Sequence, residues 1–289
     1  MFEPGKLLRG IPITDDHIHL RPEGRMVEAV REFHRQGGTR LLLVHTPYED
    51  LMAARVGSFE AGYQRTLSIA KRVRERGGVE IHVALGPHPV ELLALEEAVG
   101  LERAVDTMRS GLEAASRHVV DGQAIAIGEI GRPHFPVDKT IWKHSNELMA
   151  HGMQLAKEAG CAVILHTEEA TPGTFKELAE TADAVGIPRG KVVKHHSAPL
   201  VLQEENHGIF PSVIAKGDNL LRAARKDLRF LTETDYLDDP ERPGAVLGPG
   251  TVPRRCARLL QKGILSREDL HKIHEDNVRH VYGARFTSE

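Results

Sequence analysis

The chain has 289 residues, 40% of them hydrophobic and 27% charged, with a formal net charge of -3. This is the composition of a globular chain long enough to bury one extensive core, and it excludes the bulk positive charge of a protein that coats nucleic acid. No uncharged apolar run approaches the roughly 20 residues that span a bilayer, residues 1–10 lack the apolar core of a signal peptide, and Cys161 and Cys256 form no disulfide framework, so the expectation is a reducing cytosol and no membrane partner.

From the N-terminus, an apolar strand at 11–16 runs into Asp15-Asp16-His17-Ile18-His19. A helix at 24–35 follows, closed by Gly37-Gly38, since glycine tolerates the left-handed turn that ends helices. A strand at 41–45 leads to a helix at 59–76, and a strand at 80–85 runs into Gly86-Pro87-His88-Pro89. Helices at 90–98 and 101–118 precede a strand at 124–127 that continues as Gly128-Glu129-Ile130-Gly131. A long helix at 140–159 stops at Gly160, and the strand at 162–165 ends at His166. After a helix at 173–184, the strand at 191–193 ends at Lys194-His195-His196. A short helix at 199–205, a weak strand at 209–214 and a helix at 219–226 lead to a strand at 228–231, which meets Thr232-Glu233-Thr234-Asp235. Helices at 252–262 and 267–282 finish the chain, the second opening on a Ser266/Asp269 cap.

Eight strands alternating with helices define an α/β chain with a parallel sheet. Residues 1–289 therefore read as a single (β/α)8 TIM barrel, for which about 250 residues is typical. An open doubly wound sheet is the alternative, but no glycine-rich phosphate loop follows the first strand.

His17 and His19 stand one residue apart, and alternate residues of a strand share a face. An H-x-H pair alone is weak, because it can equally bond backbone at a strand end. Metal-ligating residue types, however, recur at strand C-termini: His17, His19, Glu129, His166, His195 and Asp235. That end of a barrel carries active sites. Four imidazoles and two carboxylates exceed the four positions of one tetrahedral zinc; they suit two divalent ions sharing a carboxylate, and Glu129 lies centrally in the strand order. Zinc, manganese, nickel and iron fit this donor set better than magnesium. His45 reads as structural, and His88 as a substrate contact, a support for the ligands, or merely packed.

Taken in order, D-H-I-H, G-P-H-P, G-E-I-G, His166, His195, Glu233-Thr234-Asp235 and the closing Asn277-x-x-Arg279 resemble the TatD-related branch of the amidohydrolase superfamily, and K-H-H-S-A-P together with R-P-G-A-V-L-G-P resembles a divergent archaeal-type group within it. The resemblance covers the whole barrel. It implies a metal-dependent hydrolase in which His17, His19 and Asp235 hold one ion, His166 and His195 hold the other, and Glu129 bridges, with His196 competing for the strand-six position. It implies Asp235 as the catalytic residue that orients the attacking water and carries its proton. Phosphodiester or carboxylic-ester hydrolysis leads, on nucleic acid or aminoacyl-tRNA; an amide or lactone is the alternative within the enzyme class, and a non-catalytic metal-binding barrel the alternative outside it. Three departures bear on the substrate pocket: Gly131-Arg132-Pro133 replaces the family's Gly-Leu-Asp, Glu168 stands where an Arg is common, and the glycine of the strand-six motif is absent. Arg132, Lys194, Arg242, Arg254 and Arg255 are new basic groups near the rim. Arg132 and Arg242 are the expected contacts for an anionic, phosphate-bearing substrate, with His88 and Lys194 as further candidates.

Overall fold

A computed structural model, describing residues 2–286, has nine parallel strands in one sheet: β1 (Thr14–His19), β2 (Arg40–Val44), β3 (Glu80–Leu85), β4 (Ala126–Gly131), β5 (Ala162–His166), β6 (Val192–Ser197), β7 (Phe210–Ile214), β8 (Leu231–Glu233) and β9 (Tyr236–Leu237). β1 to β8 lie side by side in sequence order, and β9 flanks β1 on its other side. β8 and β9 are two halves of one strand, interrupted at Thr234-Asp235. The second half pairs Ile18 with Tyr236 and His19 with Leu237, while in the first half Thr232 Oγ1 donates to Thr14 O at 3.0 Å. The sheet thus curls closed on β1 as a (β/α)8 barrel.

Two apolar layers hold it. Inside, Leu42, Val44, Ala84, Ile164, Val193 and Leu231 meet Val278, Val281, Tyr282 and Phe286 from the end of the chain. Outside, strand residues such as Leu41, Val83 and Leu165 meet Phe33, Tyr63, Met149 and Phe175 from the helices. Each such large side chain contributes about 1.5–3 kcal/mol on burial. The closing segment plugs the barrel at the strands' N-terminal ends: Lys191, just before β6, donates to His280 O and Val281 O, and Glu275 pairs with Arg40 at the start of β2. The opposite end is left open.

The helix Lys139–Ala159 begins at Asp138, whose carboxylate accepts from the N–H groups of Thr140 and Ile141, and ends at Gly160 with φ 64°. The Ser266 cap forms, with Oγ accepting from Asp269 N–H. Two short helices, Pro4–Leu7 and Ala53–Val56, have no counterpart in the sequence pattern. Among the described residues no helix is long and apolar enough to cross a membrane.

Several strand boundaries differ from the sequence expectation, and three of them bear on the open end. β1 starts at Thr14 and runs through His19, because its pairing with β2 continues past a bulge between Asp15 and Ile18. β4 likewise extends through Glu129 past a bulge between Ile127 and Ile130, and β6 extends through His195 past one between Lys194 and Ser197. In each case the strand holds one extra residue where it carries an imidazole or carboxylate, and such an insertion re-aims side chains. The eighth strand begins at Leu231 rather than 228, because the carbonyls of Leu228 and Phe230 are taken by Asn277 Nδ2, at 2.6 and 2.9 Å. The last helix is not continuous either: a π-helical turn at Lys272–Asp276 divides it. That turn carries His274, whose Nδ1 accepts from Thr14 N at 3.1 Å and whose Nε2 lies 3.2 Å from Cys256 Sγ. Burial pulls His274 down to about 3, so it stays neutral and pins the first residue of β1.

Candidate metal centre

Glu129 is the hub of the open end. Its Oε1 lies 3.5 Å from His19 Nε2 and 3.7 Å from His88 Nε2. Its Oε2 lies 3.0 Å from His166 Nδ1, 3.1 Å from His195 Nε2 and 3.7 Å from His17 Nε2. Asp235 completes the rim, with Oδ1 3.6 Å from His19 Nε2 and Oδ2 3.0 Å from His196 Nδ1. The structure therefore brings His17, His19, Glu129, His166, His195 and Asp235 together, and adds His88. Three overlapping triads have donor atoms within 4.8 Å of one another: His17 with His19 and Glu129, His17 with His195 and Asp235, and His88 with Glu129 and His166.

The electrostatics are those of a site that draws positive charge. Burial works against ionisation of Glu129, but the imidazoles around it, His195 first, hold its carboxyl well below the usual range. Burial also disfavours charge on His17, yet Glu129 outweighs it and raises that ring to about 10. His195, buried beside His17, is pushed down to about 4, and burial takes His88 to about 3. The neutral imidazoles of His195 and His88 and the buried carboxylates are donors a divalent cation takes, and His17, protonated without one, would give up its proton to join them.

A second layer positions these groups, and the sequence reading had not assigned it. Asp15 Oδ1 accepts from Thr234 N–H at 3.0 Å, and Oδ2 accepts from Thr234 Oγ1 at 2.7 Å. This fixes the corner at Asp235, which stands at φ 52°. Buried Glu233 accepts from His196 N–H at 2.7 Å and lies 3.4 Å from His195 Nδ1. His196 itself stands at φ 51°, so the two adjacent histidines diverge: His195 faces Glu129 and His196 faces Asp235. His134 was also missed; its Nδ1 is 2.9 Å from His166 Nε2. The available signal was the strand period, since Asp15 stands two residues before His17. His45 is buried against Thr66 Oγ1 at 2.8 Å and is kept neutral by burial at about 3, a packing role.

The two expected anion contacts, Arg132 and Arg242, stand apart from the cluster's donor atoms. Arg132 is 3% exposed, and its guanidinium is committed to Glu168, to Glu177 at 2.9 Å and to Asn146 Oδ1 at 2.9 Å, with Trp142 stacked 4.4 Å away. Four of its five N–H groups are thereby engaged, as burial of a charged group demands. Arg242 is exposed on the loop after β9, and it does not line the cavity beside the cluster. Of the other rim cations, Arg254 donates to Thr251 Oγ1 at 3.2 Å. Lys194 does line that cavity, a space of about 550 Å³ whose walls include His134, His166, His196, Ile214 and Asp235. Burial lowers Lys194 to about 8.

A profile of the TatD related DNase family matches residues 14–283. An uncharacterized protein of Methanocaldococcus jannaschii is 39% identical over 279 residues, covering 96% of this chain and 97% of its own. Among solved structures, the TatD homolog YJJV of Escherichia coli K12 superposes with a TM-score of 0.61 at 20% identity, covering 93% of this chain and 97% of its own. A phosphotriesterase homology protein of Escherichia coli, complexed with phosphate in its active site, superposes with a TM-score of 0.62 at 12% identity, covering 97% of this chain and 100% of its own. At such identities the two structures speak for the fold alone.

Proposed function

The chain belongs to the TatD related DNase family, and from that premise we propose that it is a metal-dependent hydrolase with a binuclear centre acting on a phosphate-bearing ester. The observation that carries the reading is the single carboxylate of Glu129 set among five imidazoles, both of its oxygens engaged. One carboxylate with two differently surrounded oxygens fits a bridge between two ions. His17, His19 and Asp235 would hold the first ion, and His166 and His195 the second, with zinc, manganese, nickel or iron suited to so many imidazoles. When bound, such ions supply Lewis acidity and a water that ionises near neutral pH.

The chain's own groups do the rest. Asp235, held at its corner by Asp15 and Thr234, orients the attacking water, accepts its proton and returns it to the leaving group. His88 Nδ1 accepts from Val90 N–H at 3.3 Å, so the ring's proton sits on Nε2, the nitrogen that faces the cluster. His88 is therefore a donor towards the oxygen on which negative charge develops, rather than a metal ligand. A phosphodiester leads over a carboxylic ester because the matched family is described as a DNase. Nucleic acid and aminoacyl-tRNA both present such groups.

The test is a hydrolysis screen of the chelator-stripped protein reloaded with manganese, zinc or nickel. It compares bis(p-nitrophenyl) phosphate, a single-stranded oligonucleotide, a neutral carboxylic ester and a lactone. Metal-restored turnover of the phosphate esters is expected. Turnover confined to the ester or lactone would overturn the substrate reading, and no turnover with any metal would overturn the enzyme.

A further inference from the structure

Lys194 is 1% exposed, yet it lines the cavity that opens beside the cluster. Of its three N–H groups, one is accounted for: Nζ donates to His195 O at 2.7 Å. Among the described residues no carboxylate forms an ion pair with it. Of the acids whose charge reaches it, Glu233 comes first but accepts from His196 N–H and lies beside His195, and Glu168 already has both oxygens on the Arg132 guanidinium. A buried ammonium without a counter-ion costs several kcal/mol of lost hydration, and a methionine of similar reach would fill the same space without that cost. Around it Ala170, Ala198 and Ile214 form the apolar part of the wall, Thr167 and Asn219 add neutral polar groups, and His166, His195 and Asp235 join the cavity directly to the cluster.

We propose that Lys194 forms the floor of an anion subsite that receives a second negatively charged group of the substrate, a phosphate or carboxylate next to the bond being cleaved. This rests on the reading of the neighbouring cluster as the hydrolytic centre. The two spare N–H groups of the ammonium supply charge-assisted hydrogen bonds to one anionic group. His195 O, on the third N–H, fixes the ammonium's direction. Glu169 also lines the cavity, on its exposed side, and its charge opposes an anion there.

The experiment is a calorimetric titration of inorganic phosphate into the full chain, both stripped of metal and loaded with manganese. Wild type is compared with Lys194→Met, Lys194→Arg and Glu169→Gln, with circular dichroism as the check on folding. The stripped wild type is expected to bind phosphate. Lys194→Met should weaken that binding about tenfold or more, as loss of a charge-assisted contact requires. Lys194→Arg should retain part of it, and Glu169→Gln should tighten it. Should Lys194→Met fail to fold, Ala198→Glu, which sets a like charge in the cavity wall, must weaken binding instead. Two substrate arms separate the sources: an oligonucleotide with and without a 5′-phosphate, and an ester with and without a neighbouring carboxylate. Lys194→Met should raise KM only for the charged member of one pair. Equal phosphate affinity of wild type and Lys194→Met, or no binding to the stripped wild type, overturns the subsite. Lysine-dependent phosphate binding in a protein that fails to take up any metal would instead sink the reading of the cluster and leave the subsite standing.

Discussion

Arg132 and Glu168 form a two-pronged ion pair across the ends of β4 and β5, with Nε 2.8 Å from Oε2 and Nη2 2.5 Å from Oε1. Both residues depart from the family pattern, and each accounts for the other. Removing one partner of a buried pair costs about 3–5 kcal/mol; Glu168 is partly exposed and Glu177 exposed, which lowers the figure. Arg132→Met should therefore lose about 2–3 kcal/mol in urea unfolding and change kcat/KM equally for charged and neutral substrates. A selective loss on phosphate substrates would restore Arg132 as a substrate contact.

The strand ends were legible because a barrel places every strand's C-terminus on one rim, so residue type and strand order suffice to gather His17, His19, Glu129, His166, His195 and Asp235. The Arg132 pairing was not legible. Its partner lies 36 residues away, and the register that sets Gly131 opposite His166 depends on a bulge that no local pattern announces. The same holds for His195 and His196. Their sequence order left the choice open, and the left-handed backbone at His196 with the carboxylate of Glu233 behind it makes the two rings diverge. The break of the last helix follows from His274 reaching Thr14, a contact between opposite ends of the chain.

Thr234 is bound twice by Asp15, through N–H and Oγ1, and so sets the corner from which Asp235 projects. Thr234→Val keeps shape and backbone bond but removes the hydroxyl donor. Groups that orient a ligand typically change metal affinity by about 10–100-fold when lost. Thr234→Val should weaken one ion of the pair by an amount in that range, leave the other unchanged and lower kcat. Two unchanged affinities measured by competition with a chelator would show that the corner holds without the hydroxyl.

Glu91 is buried behind His88, and burial raises its carboxyl to about 8, against opposing bonds from the N–H groups of Ala53 and His88. The folded protein then keeps a proton that the unfolded chain releases near 4.5. A folded-state pKa above the unfolded one means that stability falls as pH rises between those two values. Wild type should unfold at lower urea concentration at pH 8 than at pH 5. Glu91→Gln, neutral throughout, should show a shallower slope than wild type, the remainder coming from Asp15 and Asp16, whose carboxyls burial also raises, and should gain on wild type between pH 5 and pH 8. Parallel pH profiles of the two proteins would place the titration elsewhere.

Glu129 is the one side chain that every imidazole of the cluster faces, so its removal tests the proposed bridge directly. The barrel's apolar layers lie away from it, and Glu129→Ala should keep the wild-type circular dichroism. Wild type is expected to bind two manganese or zinc ions and Glu129→Ala at most one, counted by metal analysis after gel filtration. The same difference should appear in stability. An ion that binds only the folded chain adds about 2.7 kcal/mol at a hundredfold excess over its Kd, so two ions should raise the thermal midpoint by about twice the increment of one. Chelation should return wild type to its lower midpoint, and Glu129→Ala should show at most a single increment. Glu129→Gln separates charge from shape: the amide fills the same volume but cannot carry a negative charge shared between two ions, so it should resemble Glu129→Ala in metal count, while its metal-free stability should fall below wild type because the charge that holds His17 protonated is gone. Full occupancy by two ions in either variant would remove Glu129 from the bridging position and leave the carboxylate as a hydrogen-bond acceptor for the imidazoles around it.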